Sequence, residues 1–278
     1  NSASGDSVRY AVKDNFFAHY YPLPDTPGPQ PPADFAERIA PYLGEYSAAR
    51  NSFTTIEKAL TLLSPAITLS VTEDGYLSTG DGQLFVEVEP GLLQLRDDPN
   101  SRLAYRTGTD GQQYLFASGS TSALFKTPWY GSVTLHQILW MTILVFFLIA
   151  LIRWSYGFLK DLRKREPQPA PSRLAHWNAG IFGLLFIILV ACFAALMLDN
   201  VPVYEIPRFF FADESTALLN FILFLPWLLA LTGFAMPVFT WLAWNKKFWN
   251  LSGRIFYTLL SLCALTGIWL LAYWNFWL

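Results

Sequence analysis

Two different rhythms of apolar residues divide this chain near residue 130. In the second part, four stretches run for about twenty residues or more with almost no charge, at about 134–153, 177–198, 216–244 and 255–277. A helix of about 20 apolar residues covers the hydrocarbon core of a bilayer, so each stretch is expected to be a transmembrane helix. The third is longer than a crossing needs and contains Pro226 and Pro237, which predict a kink or a tilt. Trp129, Tyr130, Trp177, Trp244, Trp249, Trp274 and Trp277 cluster at the ends of these stretches, where amphipathic rings favour the headgroup level.

In the first part the rhythm has period two. Ile67, Leu69 and Val71 alternate with Thr68 and Ser70, and Leu84, Val86 and Val88 alternate with Phe85, Glu87 and Glu89. The runs RLAYR and QQYLFAS follow, with turn sequences EDG at 73–75 and TDG at 109–111. Strands about ten residues apart, separated by Gly and Asp turns, predict a small antiparallel barrel or curled sheet over residues 42–128. Within it, FTTIEKALTLL at 53–63 fits a helical face through Ile56, Leu60 and Leu63 about as well as a strand. The preceding YLGEY is expected to begin the first strand, with Gly44 permitting a bend. Thr54, Thr55 and Glu57 are expected to make local hydrogen bonds at a turn or helix start. Upstream, Val8, Val12, Phe16 and Tyr20 fall on one face of a helix over residues 8–21. Residues 22–41, with six prolines between positions 22 and 32, read as a linker.

Composition supports a membrane protein. Hydrophobic residues make up 53% of the chain and charged residues only 14%, against about 25% charged in soluble domains. Residues 1–133 carry nine Lys/Arg and fifteen Asp/Glu, whereas residues 134–278 carry ten and six. The loop after the first span holds Arg153, Lys160, Arg163, Lys164, Arg165 and Arg173, and the loop after the third holds Lys246, Lys247 and Arg254. Between them, residues 199–214 hold only Arg208 among four acids. The positive-inside rule therefore places 153–176 and 245–254 in the cytoplasm, and the first part and the C-terminus outside. The basic run after the first span reads as a topology determinant that contacts anionic lipid, and EPQPAPS behind it as a stiff connector. The lipid bilayer is the implied partner; an acidic outer part does not suit nucleic acid.

The spans carry no Asp, Glu, Lys, Arg or His at mid-membrane, which disfavours a pump or ion pathway. Ala191 and Ala195 form a small-xxx-small pair, a helix-packing signal. Cys192 and Cys263 lie in apolar runs, so neither a disulfide framework nor a zinc site is expected, and no cofactor site stands out.

His19, His136 and His176 have no supporting motif, and the topology separates His176 from the other two; His136 is expected to pack at a membrane boundary. Ser47 with Arg50 lacks a deprotonatable partner, and Ser122 with Lys126 is one residue longer than a helical Ser-x-x-Lys. GTDGQQ and STGDGQ read as hairpin turns, and Glu87 with Glu89 as a solvated strand face. No catalytic, cofactor or metal residue is assigned.

The order of DNFFAHYYP, a proline linker, YLGEY at 42–46, ARNSFTTIEK at 49–58, LFVEVEPG at 84–91 and LFKTPWY at 124–130 before a first span resembles the C-terminal portion of bacterial membrane-bound serine hydrolases of the beta-lactamase-related, penicillin-binding-protein-like superfamily. That resemblance implies a lipocalin-like outer β domain followed by a bundle of four membrane helices. It also implies that residues 1–21, starting at Asn1 without a leader, are the last helix of an upstream catalytic domain absent from this chain. The family's Ser-x-x-Lys, Tyr-x-Asn and Lys-Thr-Gly motifs are not in this sequence; Lys126–Thr127–Pro128 departs from the last at Pro128. Two functions are therefore expected. One is the accessory, membrane-anchoring part of a hydrolase acting outside the membrane on peptidoglycan-like peptides, beta-lactams or small esters. The other is a stand-alone, non-catalytic membrane protein whose β domain binds a partner or small ligand.

Overall fold

The alternating segments become eight short strands: β1 (Gly44–Ala48), β2 (Ile67–Val71), β3 (Leu77–Ser78), β4 (Leu84–Glu89), β5 (Leu92–Leu95), β6 (Asp98–Thr107), β7 (Gln113–Ala117) and β8 (Leu124–Lys126). The computed structural model describes residues 5–21, 29–63, 66–164, 169–201, 206–207 and 217–277. It divides into two units, residues 22–136 and residues 1–21 with 137–278.

In the first unit each strand pairs antiparallel with the next, and β8 returns to β1 through Tyr46 with Lys126, Ser47 with Phe125 and Ala48 with Leu124. The sheet is thus a closed barrel without an edge strand, which leaves no row of unpaired backbone groups. Gly44 opens β1 at φ +126°, a conformation that side chains disfavour, with Lys126 Cε about where a Cβ would make contact. Alternation then points Tyr46, Leu69, Leu77, Phe85, Leu93, Leu103 and Leu115 into one buried core.

That core has two more members. Helix α2 (Phe35–Ile39) contributes Phe35 and Ile39, both fully buried among the inward barrel residues. The linker expected over 22–41 therefore ends earlier, because residues 35–39 bury apolar surface in the barrel; residues 22–28 lie outside the described residues. A 3₁₀ turn (Ala40–Tyr42) joins α2 to the β1 region. The ambiguous segment is also 3₁₀, over Ile56–Leu63, with Ile56 and Ala59 buried. Its start is fixed locally: Ser52 and Thr55 hydroxyls lie 2.6 Å apart, and Thr55 Oγ1 donates to Glu57 at 3.0 Å.

The unit ends on the first turn of helix α3 (Val133–Lys164). Ser132 Oγ accepts from Leu135 N at 3.1 Å and donates to Glu45 of β1 at 2.7 Å, while the Val133 amide donates to the same carboxylate. A serine cap backed by a carboxylate satisfies otherwise unpaired helix N–H groups and complements the helix dipole. His136 is fully buried in that turn, its Nε2 2.9 Å from the Tyr130 carbonyl, the packing position expected for it.

The second unit contains α1 (Gly5–Tyr20) and four helices long and apolar enough to cross a membrane: Val133–Ser155 of α3, α4 (Ala170–Leu198), α5 (Ala217–Asn245) and α6 (Leu251–Tyr273). The protein is a multi-pass membrane protein. A short hairpin, β9 (Asn200–Val201) with β10 (Ile206–Pro207), lies between α4 and α5. α4 begins within the proline-rich connector, because Pro169 and Pro171 sit at its cap and first turn, where the missing N–H is not needed. The stiff connector is thus shorter than expected on this side, and residues 165–168 lie outside the described residues. α5 runs unbroken through Pro226 and Pro237. Asn178 of α4 donates to the Thr232 carbonyl of α5 at 2.8 Å, a side-chain link between the two helices.

The helix seam differs from the one expected. Ala191 and Ala195 are exposed, and Ala175, Ala179 and Gly183 form the buried small-residue row of α4. At Gly233 of α5 a Cβ would sit 2.6 Å from Ile268 of α6 and 2.9 Å from Phe182 of α4, so only glycine admits this approach. Trp274, expected at the headgroup level, is 98% buried by its neighbours.

Truncating Phe35 should empty the centre of the barrel core. We expect Phe35→Ala to cost about 3–5 kcal/mol, read as faster hydrogen exchange throughout β3 to β7 with exchange in α4 to α6 unchanged. Unaltered barrel protection would contradict the assignment of Phe35 to that core.

Candidate functional site

The mouth of the barrel beneath α2 holds the most organised polar group of this unit. Glu87 on β4 points inward between Phe85 and the turn into β5, and is 5% exposed. Arg38 of α2 reaches it, Nη2 to Oε2 at 2.5 Å. The Tyr105 hydroxyl donates to Oε1 at 2.6 Å and the Gly91 amide to the same atom at 3.0 Å. Arg38 also holds Asp34, Nε to Oδ2 at 2.8 Å, and Tyr42 packs at a tilt on Tyr105 with ring centroids 4.6 Å apart. Lys126 Nζ donates to the Pro41 carbonyl at 2.6 Å and so ties the 3₁₀ turn to β8.

Burial alone would push the Glu87 carboxyl up, but Arg38, the Tyr105 hydroxyl and the Gly91 amide outweigh it and hold it below the usual carboxylate range. The Tyr105 phenol is pushed up to about 12, by burial first and then by the neighbouring carboxylate. Glu87 and Glu89 were expected to share a solvated face. Instead, the register shifts between them, so Glu87 is buried in the mouth and Glu89 is exposed. Arg38 and Tyr105, which complete the group, have no sequence signal beyond an Asp and an Arg one helical turn apart.

The other candidates remain scattered. Ser47 Oγ lies 2.7 Å from the Thr127 hydroxyl. Ser122 Oγ donates to the Ala123 carbonyl and accepts from the Arg50 amide, each at 3.1 Å. Lys126 is engaged at Pro41 rather than at Ser122. His19 packs on Tyr20 in α1, and His176 on Trp154 and Trp249. Among the described residues, no three His, Cys, Asp or Glu side chains gather to hold a metal.

Two surface features of the barrel unit remain. A half-open cleft of about 280 Å³ lies between β1, the 3₁₀ segment and the start of β2, lined by Tyr46, Ser47, Arg50, Asn51, Leu60 and Thr61 among others. It falls at the lower limit of ligand pockets, which hold about 300–1,000 Å³, and its Asn51 is already bonded to Thr61 at 2.7 Å. The second is an aromatic stripe. Inward-pointing Leu115 makes Tyr114 and Phe116 of β7 point outward, Tyr114 lies opposite Phe125 of β8, and Phe53 stands 6.2 Å from Phe125 by ring centroids. Exposed Arg102 and Arg106 flank it on β6. The alternation of QYLFA shows these rings on one face, but only closure of the barrel shows that the face is the outer one.

Comparison with known protein families, characterised proteins and solved structures returned no match for this chain.

The Glu87 group gives the barrel an acid-sensitive contribution. Because its folded pKa is depressed, that contribution is complete above the unfolded carboxyl value of about 4.3 and is lost as pH falls through the folded value. In Glu87→Gln this component should vanish. The stability curves of variant and parent should therefore separate at neutral pH and converge toward acid, as followed by thermal unfolding; curves that stay parallel would count against it.

Proposed function

We propose that this chain is a membrane-anchored recognition module without chemistry of its own, in which the barrel engages a partner through its outer face. The observation that carries this reading is the filled mouth. An eight-stranded barrel has just enough interior to hold side chains or one small ligand, and here Phe35 and Ile39 occupy the position a ligand would take, under a fully bonded carboxylate. The up-and-down strand order supports a lipocalin-like description, while the plug separates this barrel from a ligand-carrying calyx. Recognition is then left to the surface, where rings flanked by arginines are the side chains most often decisive in protein contacts. The basic loops orient the module, with 153–176 and 245–254 in the cytoplasm and the barrel outside.

One observation favours the hydrolase reading as a second possibility. In α1, Val8, Val12, Phe16 and Tyr20 are each at least half exposed, so the expected apolar face has no cover among the described residues. A helix of 16 residues with a bare apolar face is marginal in water, which fits its packing on a further domain, as the resemblance to beta-lactamase-related serine hydrolases implies. On that reading the chain anchors such an enzyme at the outer surface and supplies no catalytic residue.

A benzoylphenylalanine probe at position 116 or 125 should crosslink the same partner in native membranes, and one at position 74, in the β2–β3 turn, should not. Uniform crosslinking, or none, sinks the outer-face reading. Fluorophosphonate should leave this chain unlabelled, and a labelled serine within it would overturn the non-catalytic assignment. A crosslinked partner that itself reacts with fluorophosphonate would favour the second reading.

A further inference from the structure

One end of the membrane unit gathers rings and cations from four elements. The His176 imidazole on α4 lies between the indoles of Trp154 on α3 and Trp249 in the α5–α6 turn, at centroid distances of 4.9 and 4.7 Å. Trp249 packs in turn on Tyr257 of α6 at 5.2 Å. Around this stack stand Arg153, its guanidinium 5.2 Å from the Phe256 ring, Arg254, 5.1 Å from the Trp244 ring, and exposed Arg173, Lys246 and Lys247. Among the described residues of 150–155, 169–180 and 240–258 there is no Asp or Glu.

Ordinary helix electrostatics explains only part of this. Lys246 and Lys247 follow the C-terminus of α5 and complement its dipole. Arg173 and Arg254 do the opposite, since each lies in the first turns of a helix, α4 or α6, where the positive end of the dipole disfavours a cation. Asn250 caps α6 by accepting from Gly253 N at 2.8 Å, but brings no negative charge. Lys247 adopts φ +49°, a left-handed position after a helix that glycine fills at least cost. The Arg254 Nε–H and the Trp249 Nε1–H are buried without an acceptor. Cations, two helix N-termini and unanswered donors thus converge where the described side chains supply no anion.

We propose that this end of the bundle is a headgroup site for an anionic phospholipid. Arg254 and Lys247 are its phosphate-facing cations, and the Trp154–His176–Trp249 stack is its apolar floor. The chemistry recognised is a phosphate ester. A lipid supplies it rather than free phosphate, because this turn joins two helices each long and apolar enough to cross a membrane and so falls near a bilayer surface.

The test uses the full chain in detergent, titrated with phosphatidylglycerol or phosphatidylcholine of the same acyl chains and read by native mass spectrometry. Phosphatidylglycerol should bind the parent at lower concentration than phosphatidylcholine. A basic residue at a membrane surface contributes about 1 kcal/mol, or about five-fold. The double variant Lys247→Gly, Arg254→Gln should therefore need about 25-fold more phosphatidylglycerol, with phosphatidylcholine binding unchanged. Lys247→Gly suits the left-handed backbone, so it should preserve the turn; should the double variant lose its thermal transition, Lys247→Gly alone is read against a shift of about five-fold. Equal phosphatidylglycerol binding by variant and parent, or no headgroup preference in the parent, overturns the proposal. Displacement of the lipid by millimolar inorganic phosphate would overturn the lipid assignment in favour of a free anion.

Discussion

Everything in this structure depends on pairing backbone N–H and C=O groups where water does not reach them, because an unpaired buried group costs as much as a lost hydrogen bond or more. The two parts of the chain meet that demand differently. The first part closes its ladder on itself when β8 returns to β1, so a sheet of short strands has no edge left over. The second part uses helices, whose hydrogen bonds are internal, and α5 runs unbroken through its two prolines. The remaining ends are answered individually, as at Val133, where Ser132 and Glu45 supply the acceptors that a helix start lacks.

Closure also decides what the barrel can do. Its interior is too narrow for both a plug and a ligand, and α2 fills it with Phe35 and Ile39. Glu87, taken inside the barrel, is held by Arg38, the Tyr105 hydroxyl and the Gly91 amide. The cationic end of the membrane bundle shows the reverse arrangement. There the Arg254 Nε–H and the Trp249 Nε1–H are buried without an acceptor among the described residues.

Much of this was legible in the sequence, and the exceptions share physical causes. Period two at Ile67, Leu69 and Val71 and the charge-free stretches gave the strands and spans, because each pattern repeats often enough to be distinctive. Helix α2 was read as linker, since five residues between prolines are too few for a period and the burial of Phe35 needs a barrel that lies later in the chain. Glu87 follows Phe85 inward by simple alternation, but Leu84, Val86 and Val88 are the more apolar set and point to the opposite face as the core, and the register shift turns only Glu89 outward. The seam of α4 was misplaced at Ala191 and Ala195, since a helix apolar on all sides does not reveal which side meets its neighbours. The aromatic stripe and the stack around His176 bring together residues far apart in sequence, and only the folded chain shows them.

The plug of the barrel also determines how the domain would bear tension. Residues 29–34 lead directly into α2, so a pull from the N-terminal side meets the Asp34–Arg38–Glu87 chain of contacts and the packing of Phe35 before it meets any strand. These contacts yield one after another, whereas the antiparallel ladders behind them share a load across several hydrogen bonds. In mechanical terms, α2 is a stopper that would leave the barrel at lower force than the barrel needs to unzip, making the mouth its first yielding point.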